Sequence, residues 1–161
     1  MRRLGDRAEA AGRVYLTGGA TAVLLGWRST TIDIDLALGA DAEHLLRLVP
    51  TLKEELELNV ELAAPSDFIP ELPGWRERSR FIRREGSVDF FHYDLYAQAL
   101  SKIERGHAQD RDDVQAMLER GLIEEDTATE LFGRIEPALY RYPAINPASF
   151  RRQVEQVFGR R

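Results

Sequence analysis

Residues 17–38, TGGATAVLLGWRSTTIDIDLAL, decide the expected fold, because they set a glycine pair before a short apolar segment and two aspartates inside an otherwise apolar one. From Ile32 to Leu36 the side chains alternate strictly between apolar and acidic, which is the period-two pattern of a β-strand. Asp33 and Asp35 therefore point to the same side of this strand. Isolated carboxylates are costly to desolvate, so their place in an apolar strand needs an explanation.

The patterns on either side of this stretch predict further strands and helices. We expect helices over residues 4–11, 20–26 and 41–58, the last broken or kinked at Pro50, and strands over residues 14–16 and 59–63. The segments RFIRR and SVDFFHY flank Glu85-Gly86 and predict a β-hairpin, and the chain is helical in pattern from Tyr93 onward. Residues 65–75 contain three prolines and are expected to form a loop that Phe68, Ile69 and Trp75 attach to the core.

These elements predict an α/β (α+β) fold followed by a C-terminal helical extension. Residues 1–93 are expected to form the α/β core, and residues 94–161 a helical region packed on it, as a single globular unit.

Composition excludes several classes of protein. The chain has 22 Lys and Arg against 27 Asp and Glu, a formal charge of −5, which argues against a protein that coats nucleic acid. It has no cysteine, so disulfides and thiolate metal sites are excluded, and its apolar runs are too short to predict a membrane span or a membrane partner. His44, His92 and His107 lack the spacing of metal ligands, and His92 is expected to be packed. We expect a cytoplasmic protein.

The two aspartates suit a site for hard divalent cations. Side chains two positions apart on a strand stand about 7 Å apart at their Cα atoms, so their oxygens converge on one ion or on two. Mg²⁺ prefers carboxylate and phosphate oxygens, and Gly18 and Gly19 lie before an expected helix N-terminus, where backbone N–H groups favour phosphate. The alternative for the two aspartates is an exposed acidic sheet face, and the alternative for the glycine pair is a plain tight turn.

A glycine pair followed about a dozen residues later by Asp-x-Asp on a strand resembles the nucleotidyltransferase fold of the DNA polymerase beta superfamily. Arg28, Ser29 and Thr30 before DIDL, with Lys102 and the Asp110-x-x-Asp113 pair further on, resemble the minimal nucleotidyltransferases related to abortive-infection toxin enzymes. The resemblance implies a mixed β-sheet flanked by helices as the fold. It also implies Mg²⁺ or Mn²⁺ as cofactor, a nucleoside triphosphate as substrate and three catalytic, metal-binding carboxylates.

Two of these carboxylates match Asp33 and Asp35. The family's third lies on a strand after the intervening helix, which matches Glu61, although aspartate is commoner there; Asp89 is the competing choice, and chain order favours Glu61. The resemblance further implies that the nucleotide and its phosphates bind Gly18, Gly19, Arg28 and Lys102, with Asp110 and Asp113 as a supporting acid pair.

Some of these residues have a second interpretation. Lys102 lies at the edge of the apolar face of its expected helix, so it is either a phosphate ligand or an ordinary lysine whose stem packs on that face. Asp110 lies near the start of its expected helix on the apolar side, where a carboxylate needs a partner, and it is either a site residue or a helix cap. The arginine-rich run WRERSRFIRR either binds triphosphate or RNA or forms a solvated hairpin edge, and Arg160 and Arg161 are expected at a solvated end.

The resemblance implies transfer of a nucleoside monophosphate from a nucleoside triphosphate to a hydroxyl of a tRNA-like RNA or of a protein. It also implies a toxin of a toxin–antitoxin or phage-defence pair, with an antitoxin as partner. The alternatives are a catalytically inactive binding or regulatory module of the same fold, and a structural domain in which Asp33 and Asp35 are merely solvated.

Overall fold

The computed structural model describes residues 1–159, and Arg160 and Arg161, with the solvated end expected there, lie outside the described residues. The contacts divide the described chain into two compact units. The first unit comprises Met1–Ala64 and Ser79–Tyr93. The second comprises Pro65–Arg78 and the described residues from Asp94 onward.

Within the described residues, the first unit is built on a five-stranded mixed sheet. Its elements in chain order are α1 (Arg2–Arg7), β1 (Gly12–Thr17), α2 (Gly18–Leu24), β2 (Asp33–Leu38), a 3₁₀ helix (Ala40–Arg47), α3 (Leu48–Leu56), β3 (Asn59–Leu62), β4 (Arg80–Glu85) and β5 (Val88–His92). The strand order is β3-β2-β1-β5-β4, with β1 parallel to β5, β2 parallel to β3, and the other two pairs antiparallel. The predicted mixed sheet flanked by helices is confirmed.

One face of this sheet carries the core of the first unit. Its buried apolar residues come from alternate strand positions and from the helices that cover them: Leu4, Val14, Leu16, Ala20, Leu36, Ala42, Leu45, Leu52, Val88 and Phe90. Burying one Leu or Phe side chain contributes about 1.5–3 kcal/mol. Because side chains alternate along a strand, Asp33 and Asp35 lie on the opposite face of β2 from Leu36.

The helical segment after β2 breaks at a different place from the one predicted. Pro50 was expected to mark the break, but 3₁₀ geometry gives way to α geometry between Arg47 and Leu48. Pro50 lies in the first turn of α3, where a proline is tolerated because the N–H it lacks has no partner within the helix. The first helix also ends earlier than expected, at Arg7.

The β4–β5 hairpin forms as predicted, and its turn needs a glycine. Gly86 has a φ of 58°, in the left-handed region. A Cβ atom at this position would come 2.5 Å from the carbonyl oxygen of Gly5, so any other side chain would displace the backbone of α1.

Within the described residues, the second unit consists of helices and connecting segments. Its elements are a 3₁₀ turn (Pro65–Asp67), α4 (Trp75–Arg78), α5 (Leu95–Arg105), α6 (Ala108–Glu119), α7 (Glu125–Ile135), a 3₁₀ helix (Glu136–Arg141) and α8 (Pro147–Phe158). Asp94 caps α5 by accepting a hydrogen bond from the Tyr96 N–H at 3.1 Å, and Asn146 caps α8 by accepting one from the Ser149 N–H at 2.9 Å. No helix of the described chain is both long and apolar enough to cross a membrane.

The proline-rich segment 65–75 packs into the second unit. Ile69 and Trp75 are buried as predicted, but Phe68 is 46% exposed, so the prediction that Phe68 anchors the segment is wrong. The backbone N–H groups of Phe68 and Ile69 both bond to the Pro65 carbonyl, and this tight turn sends the two neighbouring side chains in different directions. The Tyr142 hydroxyl donates to the Ser66 carbonyl at 2.8 Å and holds the turn in place.

His92, on β5, is packed as predicted, and it makes folding sensitive to acid. The side chain is 6% exposed, and its Nδ1 lies 3.3 Å from the Thr21 hydroxyl. Burial, helped by the charge of Arg80, lowers the pKa of His92 from 6.5 to about 4. Unfolding therefore takes up a proton between these pH values. As the pH falls from 6.5 toward 4, His92 lowers the free energy of unfolding by a total of roughly 3 kcal/mol.

Urea unfolding at pH 7 and at pH 4.5 measures this loss. We expect His92→Asn to lose less stability on acidification than the wild type, by roughly 2–3 kcal/mol. His107→Asn, which changes an exposed histidine, is the matched control and should lose as much stability between pH 7 and pH 4.5 as the wild type does. An equal pH dependence for His92→Asn and the wild type would show that His92 does not titrate in this way.

Candidate functional site

The sheet face opposite the core carries the acidic residues that the sequence singles out. Asp33 and Asp35 stand two positions apart on β2, where Asp33 is exposed and Asp35 is half-buried. Their apolar neighbours Ile34 and Leu36 point into the core, which is why β2 forms in spite of its charges. The strand thus presents two carboxylates on one side and holds them in place from the other.

Glu61 joins this pair through the register of β2 and β3. The two strands run parallel, with Asp35 opposite Glu61 and Asp33 opposite Asn59. Residues opposite each other in neighbouring strands share a face at a strand spacing of about 4.8 Å. Asp33, Asp35 and Glu61 are therefore adjacent, and we call them the acidic cluster.

Asn59 has no role in the predictions made from the sequence, yet it contacts two members of the acidic cluster. Its Nδ2 donates to Asp33 Oδ1, and it also lies 3.5 Å from Glu61 Oε1. The amide thus bridges two carboxylates that otherwise repel each other. Its position two residues before Glu61 on a strand was the available sequence signal, since this spacing places both side chains on one face.

Asp89, the competing third carboxylate, lies elsewhere on the sheet. It is opposite Arg13 on β1, whereas Asp35 is opposite Thr17, four residues further along the same strand, a separation of about 13 Å. Arg84 donates two hydrogen bonds to Asp89, at 2.6 and 2.7 Å, and these bonds lower the pKa of Asp89. The carboxylate of Asp89 is thus already bound, at a distance from the acidic pair.

The glycine pair brings the backbone at the start of α2 close to the acidic strand. Gly18 has a φ of 57°, and a Cβ atom there would lie 2.7 Å from Asp35 Oδ2. A Cβ atom on Gly19 would overlap the Thr31 hydroxyl and lie 3.6 Å from Nη1 of Arg28. Gly18, Gly19 and Arg28 therefore lie in one neighbourhood with Asp35. Because α2 is only seven residues long, its dipole alone would add little to the binding of a phosphate group.

Substitution of Gly18 should disturb both folding and the acidic cluster. A left-handed backbone costs a residue with a side chain about 1–2 kcal/mol, so Gly18→Ala should lower the melting temperature by roughly 2–8 °C. It should also displace the Asp35 carboxylate and weaken Mn²⁺ binding, as measured by calorimetry. Gly121→Ala is the matched control, because Gly121 has a φ of 62° with nothing within 4 Å of its Cβ position. Unchanged Mn²⁺ affinity in Gly18→Ala would contradict this prediction.

The remaining predicted residues form a buried ionic network in the second unit. Lys102 Nζ donates to Asp113 Oδ2 at 2.6 Å and lies 3.4 Å from Asp110 Oδ1, while Arg105 Nε donates to Asp110 Oδ2 at 2.7 Å. Lys102 is 6% exposed, and both aspartates are at least as buried. Two cations and two anions balance in this group, which we call the Lys102 network.

In this network Lys102 forms ion pairs with both Asp110 and Asp113. Asp110 is not the N-cap of α6, because His107 occupies that position. Burial favours the neutral form of Asp110, but the hydrogen bond from Arg105 and the charges of Lys102 and Arg105 outweigh it, so the pKa of Asp110 is lowered. The expected contact of Lys102 with triphosphate oxygens stays a prediction.

The arginine-rich run is largely neutralised by carboxylates. Arg78 pairs with Asp94 at 2.7 Å, Arg83 with Glu85 at 2.8 Å and Arg84 with Asp89 at 2.6 Å. A fourth arginine, Arg76, lies 3.9 Å from Glu71 and 4.5 Å from the ring of Trp75. These pairs favour a charged, solvated edge over a surface that binds polyanions.

The donor chemistry of the acidic cluster fits a hard divalent cation, although the protein forms no complete cage. Among residues 1–159, no group of three or more His, Cys, Asp or Glu side chains is arranged to hold a metal by itself. Mg²⁺ usually takes one or two carboxylates and fills its other positions with water and substrate phosphate. Asp33 and Asp35 meet that requirement with oxygen ligands, and Glu61 is the adjacent third carboxylate.

Comparison with known protein families agrees with this chemistry. A family model described as a nucleotidyltransferase of unknown function (DUF6036) matches residues 1–151. The matched range includes the acidic cluster, the glycine pair and the Lys102 network. Comparisons with curated proteins and with solved structures give no match.

Proposed function

The chain belongs to a family of nucleotidyltransferases of unknown function, and from this premise we propose that it transfers a nucleoside monophosphate from a nucleoside triphosphate to a hydroxyl acceptor. One observation carries the proposal, namely the placement of Asp33, Asp35 and Glu61 on one sheet face, with Gly18 against Asp35. Mg²⁺ or Mn²⁺ is the proposed cofactor, which these carboxylates would hold together with water and the oxygens of the triphosphate.

The proposed reaction is a displacement at the α-phosphate. The acceptor hydroxyl oxygen forms a bond to the α-phosphorus, the bond from that phosphorus to the bridging oxygen breaks, and pyrophosphate leaves. The hydroxyl proton passes to a carboxylate of the acidic cluster. A bound divalent cation would supply neutralisation of the triphosphate charge and a lower pKa for the attacking hydroxyl. The protein contributes alignment, because β2 holds its carboxylates through the buried Leu36 and the partly buried Ile34.

The acceptor and the biological role extend this proposal. We propose a hydroxyl of a tRNA-like RNA or of a protein as the acceptor, and a toxin paired with an antitoxin as the role. The support is the resemblance of Arg28, Ser29 and Thr30 before DIDL to the minimal nucleotidyltransferases related to abortive-infection toxins.

A catalytically inactive binding module is the second candidate. Two observations favour it: the third carboxylate is a glutamate, and the described residues form no three-ligand metal cage. A module of this kind would bind a nucleoside triphosphate without releasing pyrophosphate.

Label transfer separates these candidates. The purified protein is incubated with Mg²⁺ and each nucleoside triphosphate labelled at the α-phosphate, with total tRNA or a protein mixture as acceptor, beside an Asp33→Asn, Asp35→Asn double variant. Transfer that the double variant loses establishes the enzyme and identifies the nucleotide and acceptor class. Nucleotide binding without transfer supports the module, and the absence of both binding and transfer rejects the proposed function.

A further inference from the structure

The acidic cluster contains a neutral side chain that the proposed chemistry does not yet use. Asn59 is opposite Asp33 in the β2–β3 register and two positions before Glu61 on β3. It therefore shares the sheet face of both carboxylates. Asn59 and Asp33 form one cross-strand pair, and Glu61 and Asp35 form the next pair on the same face. This position results from the strand register, and the sequence motif of the family resemblance does not include it.

The hydrogen bonds of Asn59 use one oxygen of each neighbouring carboxylate. Nδ2 donates to Oδ1 of Asp33 and lies 3.5 Å from Oε1 of Glu61. The second oxygens, Oδ2 of Asp33 and Oε2 of Glu61, take no part in these two contacts. An amide donor also lowers the repulsion between carboxylates, because its partial positive charge lies between them.

We propose that Asn59 is a positioning residue of the acidic cluster, whose amide orients Asp33 and Glu61 for divalent cation binding. The inference rests on the proposed function, since it takes the acidic cluster to be the cation site. Side chains that orient metal ligands by hydrogen bonding typically change metal affinity about 10–100-fold when they are replaced. An effect of this size is expected here because β3 is short and Glu61 is exposed, so little else holds its carboxylate in place.

The test measures Mn²⁺ affinity by calorimetry and the melting temperature without metal, for the wild type, Asn59→Leu and Asn59→Asp. Asn59→Leu keeps the size of the side chain and removes the donor, so Mn²⁺ affinity should fall about 10–100-fold. Asn59→Asp replaces the donor with a fourth carboxylate, so the metal-free protein should melt at a lower temperature. Added Mn²⁺ should raise the melting temperature of Asn59→Asp by more than it raises the melting temperature of the wild type. Asn59→Ser, which keeps a short donor, should recover part of the affinity that Asn59→Leu loses.

Each outcome decides a separate claim. Wild-type Mn²⁺ binding that persists unchanged in Asn59→Leu overturns the role of Asn59 and leaves the proposed function intact. A wild type that does not bind Mn²⁺, with or without a nucleoside triphosphate, overturns both. If Asn59→Leu fails to fold, Asn59→Ser and Asn59→Asp carry the test, and equal Mn²⁺ responses in these two variants and the wild type overturn the inference.

Discussion

Asp35→Asn is expected to reduce nucleotidyl transfer by at least about 10³-fold, because it removes a charge worth several kcal/mol at the reacting phosphate. The substitution keeps the size of a half-buried side chain that lies against Gly18. The fold should therefore survive. The initial rate of label transfer at saturating nucleoside triphosphate is the measurement.

Asp89→Asn is the matched control for this experiment. Asp89 lies on the same sheet face, but it pairs with Arg84 and is about 13 Å along the strands from Asp35. Transfer should stay within a few-fold of the wild-type rate in this variant, while Glu61→Gln should reduce it strongly. If Asp89→Asn abolished transfer and Glu61→Gln did not, Asp89 would be the third carboxylate and the assignment of Glu61 would be wrong.

Lys102→Met is expected to destabilise the protein by about 3–5 kcal/mol, the usual cost of removing one partner from a buried ion pair. The reason is that Asp113 and Asp110 would keep their buried carboxylates and lose the ammonium at 2.6 and 3.4 Å. Arg105 would still pair with Asp110, but its side chain is 49% exposed, so it only partly compensates. Chemical denaturation measures the free energy of unfolding.

Two further variants test whether the loss of stability is specific to the Lys102 network. Lys53→Met changes an exposed lysine near the end of α3 and should alter the free energy of unfolding by less than about 0.5 kcal/mol. The double variant Lys102→Met, Asp113→Asn should be more stable than Lys102→Met, because it also removes the buried carboxylate that has lost the Lys102 ammonium. If Lys102→Met kept wild-type stability and mainly raised the KM for the nucleoside triphosphate, Lys102 would act as the phosphate ligand that the family resemblance implies.

The local features of the site were available from the sequence. Alternation from Ile32 to Leu36 predicted that Asp33 and Asp35 share one face, and the hairpin with its glycine turn followed from periodicity and composition. Such patterns are reliable because the side-chain period of a strand depends only on its own backbone. The mixed sheet was implied by the family resemblance. Local sequence determines the exact ends of helices only weakly. The start of α3, two residues before Pro50, is an example.

Side-chain partners between distant segments were beyond the reach of the sequence. Asn59 contacts Asp33 only because β2 and β3 pair in parallel with one register, and a shift of one residue would send Asn59 to the other face. The same register places Glu61 beside Asp35, a neighbour that chain order favoured but did not establish. Contacts of this kind depend on the packing of whole strands, which no local pattern encodes.

The Lys102 network shows the same division between sequence and structure. Helical geometry placed Lys102 at the edge of an apolar face and Asp110 on the apolar side of its own helix, so the sequence by itself showed that a buried charge needed a partner. Only the packing of α5 against α6 decided which partners these are, because it brings Asp110 and Asp113 to the ammonium of Lys102. The sequence by itself therefore determined which charged side chains share a face of their strand or helix. The tertiary structure decided how their charges are balanced, because that balance depends on distances between segments far apart in the chain.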